Sequence, residues 1–142
     1  MSGVSIQAEC LLPGEASGRI ALLTAPLSLW GGFDLESGRV CDVNHPQHGM
    51  TIAGRILVMP GGRGSSSSSS ILLESARLGI HPRAIVTSDR DPILVVGALV
   101  ASGLYGVNIP IICAGAEAFE AFPASGTIKL SAAPGSVCIL PD

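Results

Sequence analysis

The sequence contains few charged residues. Only 13% of its 142 residues are Asp, Glu, Lys or Arg, whereas 47% are hydrophobic, and the mean hydropathy is +0.53. A chain of this length is sufficient for one hydrophobic core, and a free-standing soluble domain normally exposes more charge. The composition therefore indicates either a membrane protein or a domain whose surface is partly covered by a partner.

The longest uncharged run, ILVVGALVASGLYGVNIPIIC, covers residues 93–113. Its length matches the roughly 20 residues that a membrane span requires. However, glycines, Asn108 and Pro110 interrupt the run, and an acidic pair, Asp89 and Asp91, precedes it, unlike the basic flanks that are usual for a span. We therefore predict a buried helix followed by a buried strand, and no membrane association.

Other signals are also missing from the sequence. No basic segment precedes an apolar run near residue 1, so we expect no signal peptide and a cytoplasmic protein. The net charge is −3 and the basic residues are scattered, which argues against nucleic-acid binding. The cysteines show no C-x-x-C spacing, so we expect buried, reduced thiols rather than a metal site at Cys10, Cys41, Cys113 and Cys138.

Helix-like and strand-like segments alternate through the middle of the chain. We predict, in order, a strand at 55–59, a helix at 68–78, a strand at 83–87, a helix from 92 to 105 and a strand at 109–114. Gly79 and Gly106 are placed to end the two helices, and Asp91 with Pro92 to begin the second. This β-α-β-α-β order predicts a parallel sheet with right-handed crossovers.

Further strands are expected on both sides of this unit. Short strands are predicted at 4–10 and 19–23, and a hairpin of 127–131 with 137–140 around Pro134 and Gly135. These strands should curl the sheet into a barrel-like sandwich. The predicted fold class is α/β, with residues 1–142 forming a single domain.

A long segment, 26–50, is rich in glycine, aspartate and histidine and shows little regular structure. A loop of that length inside a compact domain is usually functional or covers a partner. Its polar side chains are predicted to be solvated, because H-x-x-H spacing alone is too loose for a metal site: Asp34, Asp42, His45 and His48.

The segment MPGGRGSSSSSSILLE, residues 59–74, could be either a flexible linker or an ordered loop. Its serine tract alone favours a linker, whereas the strand before it and the helix after it favour an ordered turn. Such a turn places backbone N–H groups and the positive end of a helix dipole at one point, where anions bind. Arg63 adds a guanidinium suited to a carboxylate or phosphate.

Nucleotide-binding patterns are incomplete in this turn. The phosphate-loop pattern lacks its lysine, and the dinucleotide pattern fails at Ser67, which stands where a glycine belongs. A small carboxylate therefore fits the loop Gly62–Ser67 better than a nucleotide. An ordinary capped helix start with a serine-rich turn is an equal alternative for this segment alone.

Three stretches occur in a familiar order, PLSLWGGFDLESGRVCDVNHPQHG, GRILVMPGGRGSSSSSSILLE and AIVTSDRDPILVVGALVASGLYG. Together they resemble the small subunit, or swivelling domain, of the aconitase X hydro-lyases, over about residues 25–110. The resemblance implies a β/β/α swivelling domain of the aconitase type. It also implies a cytoplasmic heterodimer in which this chain closes over an iron–sulfur cluster held by cysteines of a large subunit.

The resemblance implies roles for the serine loop. In the wider aconitase group, a Gly-Ser-Ser turn carries the serine that abstracts the proton from the substrate carbon, and Gly64, Ser65 and Ser66 match that turn. Ser65 is thus the candidate base. The aconitase turn continues with arginine and glutamate, whereas here serines follow and the arginine precedes. The implied substrate-binding set is Gly62, Arg63, Gly64, Ser66 and Ser67.

The resemblance also limits the substrate. Known activities of the group dehydrate cis-3-hydroxy-L-proline or mevalonate 5-phosphate, and both reactions need a base for the proton and a Lewis acid for the hydroxyl. Binding of a phosphate would be helped by more cations near the loop than Arg63 and either Arg39 or Arg90 provide. We therefore favour the hydroxyproline reaction, with mevalonate 5-phosphate, or a non-catalytic domain that binds a small carboxylate, as alternatives.

A few remaining residues have simpler predicted roles. Asp89 and Asp91 are expected to cap the following helix, although Ser88 and Asp89 also fall at the carboxyl end of a strand, where α/β sheets gather ligands. By resemblance, Trp30 and the two following glycines are candidates for the subunit contact or the mouth of the site.

Overall fold

The computed structural model describes residues 4–5, 8–61 and 67–142. The strands are β1 (Val4–Ser5), β2 (Glu9–Leu12), β3 (Gly14–Leu22), β4 (Ile56–Met59), β5 (Ala84–Thr87), β6 (Ile111–Cys113), β7 (Thr127–Ala133) and β8 (Ser136–Pro141). The helices are α1 (Leu29–Gly32), α2 (Ser67–Arg77), α3 (Pro92–Tyr105) and α4 (Gly115–Glu120).

The described strands form one mixed sheet in the order β1-β8-β7-β3-β4-β5-β6-β2. Its centre, β3 to β6, is parallel, and the flanking pairs are antiparallel. The sheet is curled, and β2 lies near β7 and β8. The predicted parallel unit with added strands that curl it into a barrel-like shape is therefore confirmed.

The parallel centre has hydrophobic cores on both faces. Every residue of β4 and β5 is buried, the pattern typical of parallel strands covered on both sides. On one face, Leu57 shares a core with Leu72 of α2 and Leu94 of α3. On the other face, Val58 shares a core with Leu130 of β7.

Strand β3 is longer than predicted because it pairs with two different neighbours. Residues 14–19 pair with β7 in antiparallel fashion, whereas Ile20–Leu22 pair with β4 in parallel. The first part, GEASGR, is mostly small or polar and so carries a weak strand signal. Backbone pairing with β7 extends the strand to Gly14.

The two long helices begin and end close to their predicted bounds. Gly79 and Gly106 adopt left-handed φ angles of 74° and 65° just beyond α2 and α3, as helix-ending glycines do. The run 93–113 divides into α3, a short connection and β6, as predicted. None of the described helices is long and apolar enough to cross a membrane. Helix α4, which has six residues, was not predicted because so short a segment shows no clear periodicity.

The segment 26–50 contains little regular structure, as predicted, but it is part of the core. Leu27, Leu29, Phe33 and Val40 are buried in the same cluster as Leu72. Helix α1 is four residues long and contains non-helical backbone. The segment therefore packs beneath α2 instead of extending into solvent.

His45 holds this segment in place, and its predicted solvation is wrong. Its side chain is buried. Nδ1 accepts a hydrogen bond from the Gln47 N–H at 3.0 Å, so Nε2 carries the proton donated to the Ala25 carbonyl at 2.9 Å. His48 is exposed, as predicted. Asp34 accepts hydrogen bonds from Ser37 and Glu36, which lower the pKa of its carboxyl.

The cysteines are not joined in disulfides. Their predicted burial is wrong for Cys41, which is exposed on the segment 26–50, and only partial for the other three cysteines. Partial burial raises the pKa of the Cys10 thiol. Cys41 directly follows Val40, which is the residue of this pair that packs into the core.

Candidate functional site

The carboxyl ends of the parallel strands lie side by side at one edge of the sheet. The register pairs Met59 with Thr87 and Thr87 with Cys113, so β4, β5 and β6 end at the same level. The chain leaves these strands through Pro60, Ser88 and the start of α4. Open α/β sheets bind ligands in the crevice at such an edge.

Hydrogen bonds fix the turns that leave the strands. The Ser88 N–H donates to the Pro60 carbonyl at 3.2 Å, and the Ser88 hydroxyl donates to the same oxygen. The Ala114 N–H donates to the Thr87 carbonyl at 2.7 Å, and the Cys113 thiol to the Ser88 carbonyl at 3.4 Å. The exit of β4, which leads into the serine loop, is thus bonded to the exit of β5.

Asp89 presents a carboxylate beside the start of the serine loop. The hydroxyl of the buried Thr87 donates to the Asp89 carbonyl at 2.5 Å and so holds its backbone. The Asp89 carboxylate has no hydrogen bond or ion pair within the described parts of the chain. Its Oδ2 lies 4.0 Å from the point that a Cβ on Gly61 would occupy.

Asp89 therefore does not cap α3, contrary to one prediction. Asp91 has that role, because its Oδ1 accepts the Leu94 N–H at 3.2 Å. The backbone bonds at Thr87 and Ser88 turn residue 89 toward Gly61 before the helix begins. Asp89 is thus a carboxylate at the strand edge, the second of the two sequence-based interpretations.

The neighbouring cation, Arg90, is paired with an acidic residue at this same edge, because Glu9 of β2 is in register with Cys113 of β6. Its guanidinium makes a two-pronged ion pair with Glu9 of β2, with N···O distances of 2.6 and 2.9 Å. Both side chains are exposed, so the pair adds little stability. It does, however, neutralise an arginine that was considered for phosphate binding.

The predicted base and most predicted binding residues lie outside the described part of the structure. These are Gly62, Arg63, Gly64, Ser65 and Ser66. Ser67 is described and is the first residue of α2. The helix therefore begins at the end of the loop, as predicted, and its positive end lies beside the loop.

The first turn of α2 is held closely against α3. Ser68 is buried, and its hydroxyl has no hydrogen-bond partner within residues 8–61 and 67–142. A Cβ on Gly97 would come 2.7 Å from the Ser69 carbonyl oxygen. Only glycine allows this approach of the two helices, and sequence reasoning did not identify this role of Gly97.

Trp30 and Gly31, which were candidates for a contact or the mouth of the site, lie on α1 beside α2. The Trp30 side chain is 63% exposed. Within the described ranges, no group of three or more His, Cys, Asp or Glu side chains is arranged to hold a metal ion.

Comparison with known proteins connects this architecture to one family. Residues 5–139 match the family described as the aconitase X swivel domain. The fold is similar to the crystal structure of Thermococcus kodakaraensis aconitase X in its holo-form, with a TM-score of 0.83 and 27% identity. That similarity covers 96% of this chain and 98% of the other.

Curated relatives fall into two groups. A cis-3-hydroxy-L-proline dehydratase from Pseudomonas aeruginosa is 45% identical over 121 residues, which cover 85% of this chain and 21% of the relative. A phosphomevalonate dehydratase small subunit from Methanothermobacter thermautotrophicus is 36% identical over 98 residues, covering 69% of this chain and 75% of the relative. The chain thus spans about a fifth of the length of the hydroxyproline dehydratases that it matches.

Proposed function

The chain belongs to the aconitase X swivel-domain family, and we propose that residues 1–142 act as the small subunit of a hydro-lyase. In this proposal it is a single swivelling domain that shares an active site with a larger, cluster-bearing subunit in a cytoplasmic heterodimer. One observation carries the proposal. The exits of β4 and β5 are bonded to each other at one edge of the sheet, and the serine loop connects the exit of β4 to the start of α2.

The proposed chemistry is removal of water, for which this chain supplies the base. Ser65 takes the proton from the substrate carbon. A serine hydroxyl is a weak base, so the loop N–H groups and the positive end of α2 must stabilise its alkoxide. When bound to the cysteines of the larger subunit, the iron–sulfur cluster supplies the Lewis acid for the departing hydroxyl.

The remaining loop residues bind the acid group of the substrate. Gly62, Gly64, Ser66 and Ser67 offer small side chains and backbone donors, and Arg63 offers a forked cation. The bonds between Ser88 and Pro60 hold the loop's starting point while the domain moves. The structure thus supports a rigid base for the loop.

The charges at the site edge favour cis-3-hydroxy-L-proline as the substrate. The Arg90 charge is balanced by Glu9, while the Asp89 carboxylate, which has no partner among the described residues, lies beside Gly61 at the start of the loop. A carboxylate repels a phosphate and attracts the ring ammonium of a hydroxyproline. The 45% identity to a hydroxyproline dehydratase agrees with this choice.

Mevalonate 5-phosphate is the second candidate. The similarity to small subunits of phosphomevalonate dehydratase supports this candidate, because this chain matches them over most of their own length. A non-catalytic domain that binds a small carboxylate is the remaining alternative, and it would need no larger partner.

Reconstitution tests these alternatives. This chain would be co-expressed anaerobically with a cysteine-bearing larger chain of the same dehydratase, and loss of water from each substrate would be measured. We expect turnover of cis-3-hydroxy-L-proline only when both chains are present. Turnover of mevalonate 5-phosphate alone would reverse the substrate assignment, and a complex without turnover of either compound would contradict the proposed activity.

A further inference from the structure

Helix α3 carries an exposed apolar face. Four of its exposed side chains recur at helical spacing and the fifth is the last residue of the helix; all are between 39% and 64% exposed: Val96, Leu99, Val100, Leu104 and Tyr105. We refer to these residues as the α3 face. No residue of α3 is charged. A helix that is apolar on all sides is normally buried on all sides.

The inward side of α3 is already used by the core. Leu94, Ala98 and Ala101 are buried there. The outward α3 face is therefore additional apolar surface: Val96, Leu99, Val100 and Leu104 form one stripe on a single helix, and Tyr105 adds exposed apolar surface at its end. Contiguous stripes of this kind, unlike scattered exposed residues, mark interaction surfaces.

We propose that the α3 face is the surface on which the larger dehydratase chain docks; this inference rests on the proposed function. Two observations select that occupant. First, the hydroxyproline dehydratases that match this chain are about four times as long, so in them most of the polypeptide lies outside this domain. Second, α3 starts next to the candidate site, because its cap Asp91 follows Asp89 by two residues.

The position of the α3 face makes it continuous with the shared site. A larger chain that completes the site at Asp89 needs only to extend along α3 to cover the apolar stripe. Because the stripe carries no charge, its complement must also be apolar, since a charged group there would lose its hydration without gaining a partner. A second copy of this chain would cover the stripe but would not complete the site.

Docking at the α3 face would also position the serine loop. Gly97 brings the backbone of α3 into direct contact with the first turn of α2 at Ser69. A partner bound to the outer side of α3 therefore also restrains the start of α2, through the close backbone contact between Gly97 and Ser69. This linkage relates the docking surface to the placement of the proposed base.

Charge substitution on the α3 face tests the proposal. The variants Leu99→Glu and Leu104→Glu would be compared with Val43→Glu, whose side chain is 77% exposed on the segment 26–50. Glutamate keeps helix propensity, so the variants should fold, which circular dichroism checks. Affinity for the co-expressed larger chain would be measured by calorimetry, and turnover would be assayed on the same complexes.

We expect each α3 variant to bind the larger chain roughly 30-fold more weakly or worse, with the control within about twofold of wild type. Hydroxyl-radical footprinting of the wild-type complex should show protection of Leu99, Leu104 and Tyr105. If the α3 substitutions weaken the complex but the wild-type complex shows no turnover, the docking surface is supported and the proposed activity is contradicted.

Three outcomes would overturn the docking proposal. The α3 variants bind like wild type, no complex with the larger chain forms, or light scattering shows a homodimer of the chain alone that protects α3. The last result assigns the face to a second copy. If the α3 variants bind the larger chain and turn over substrate like wild type, the proposed activity stands and the interface lies elsewhere.

Discussion

Gly97 of α3 lies so close to Ser69 of α2 that a Cβ at position 97 would stand 2.7 Å from the Ser69 carbonyl oxygen and 3.1 Å from its Cα. The obstructing atoms belong to the backbone, so a larger side chain can be accommodated only if one helix moves. The two helices therefore depend on a glycine at this position for their spacing.

We predict that Gly97→Ala lowers the free energy of unfolding by about 1–3 kcal/mol, the usual cost of overpacking. Gly103, also on α3, is the matched control, because a Cβ there would meet nothing within 4 Å. Gly103→Ala should raise stability by up to about 1 kcal/mol through helix propensity. Urea denaturation of both variants measures the difference, and equal effects would show that the contact with Ser69 is unimportant.

Ser65→Ala should abolish turnover of the reconstituted enzyme while leaving its stability and partner affinity unchanged. Loss of a proton-transferring group lowers kcat by about 100-fold to 10,000-fold. Ser70→Ala provides the control, since Ser70 is exposed in the same serine tract. If Ser65→Ala keeps most of the wild-type kcat, another group is the base.

Asp89→Asn should lower kcat/KM for cis-3-hydroxy-L-proline by about 10-fold to 100-fold, because a charge-assisted hydrogen bond to the ring ammonium is lost. The fold should not change, since the carboxylate has no partner in the described structure. Glu120→Gln removes an exposed carboxylate on α4 and should have no effect. A kcat/KM equal to wild type in Asp89→Asn would exclude the residue from substrate binding.

His45→Ala should destabilise the protein by about 1–3 kcal/mol, because it leaves a cavity at a buried side chain and deprives partly buried backbone groups of Ala25 and Gln47 of their partner. His48→Ala is the control, since His48 is exposed three residues away. Thermal unfolding compares the two variants. A Tm of His45→Ala equal to that of His48→Ala would show that the imidazole does not hold the segment.

Elements with strong local signals were predictable from sequence. Asp91, Pro92 and Gly106 set the bounds of α3, and the apolar runs at β4 and β5 indicated a doubly covered parallel sheet. The position of the serine loop followed from the strand before it and the helix after it. These features depend on residues that are close together in the chain.

Features that depend on distant pairing were not predictable. The first half of β3 is a strand because of β7, about 110 residues later, and His45 is buried because its partner is Ala25. The role of Gly97 depends on Ser69 in another helix. Asp89 and Asp91 have the same local sequence signal, and only the bonds between the exits of β4 and β5 distinguish them.

The shared strand β3 has a mechanical consequence. Its residues 14–19 pair with β7 of the β7–β8 hairpin, and Ile20–Leu22 pair with β4, the strand that precedes the serine loop. A force applied to the hairpin is therefore transmitted through β3 to β4 and so to the residues just before the serine loop. Any swivelling of this domain would therefore move the hairpin and the parallel layer together, because one continuous strand belongs to both.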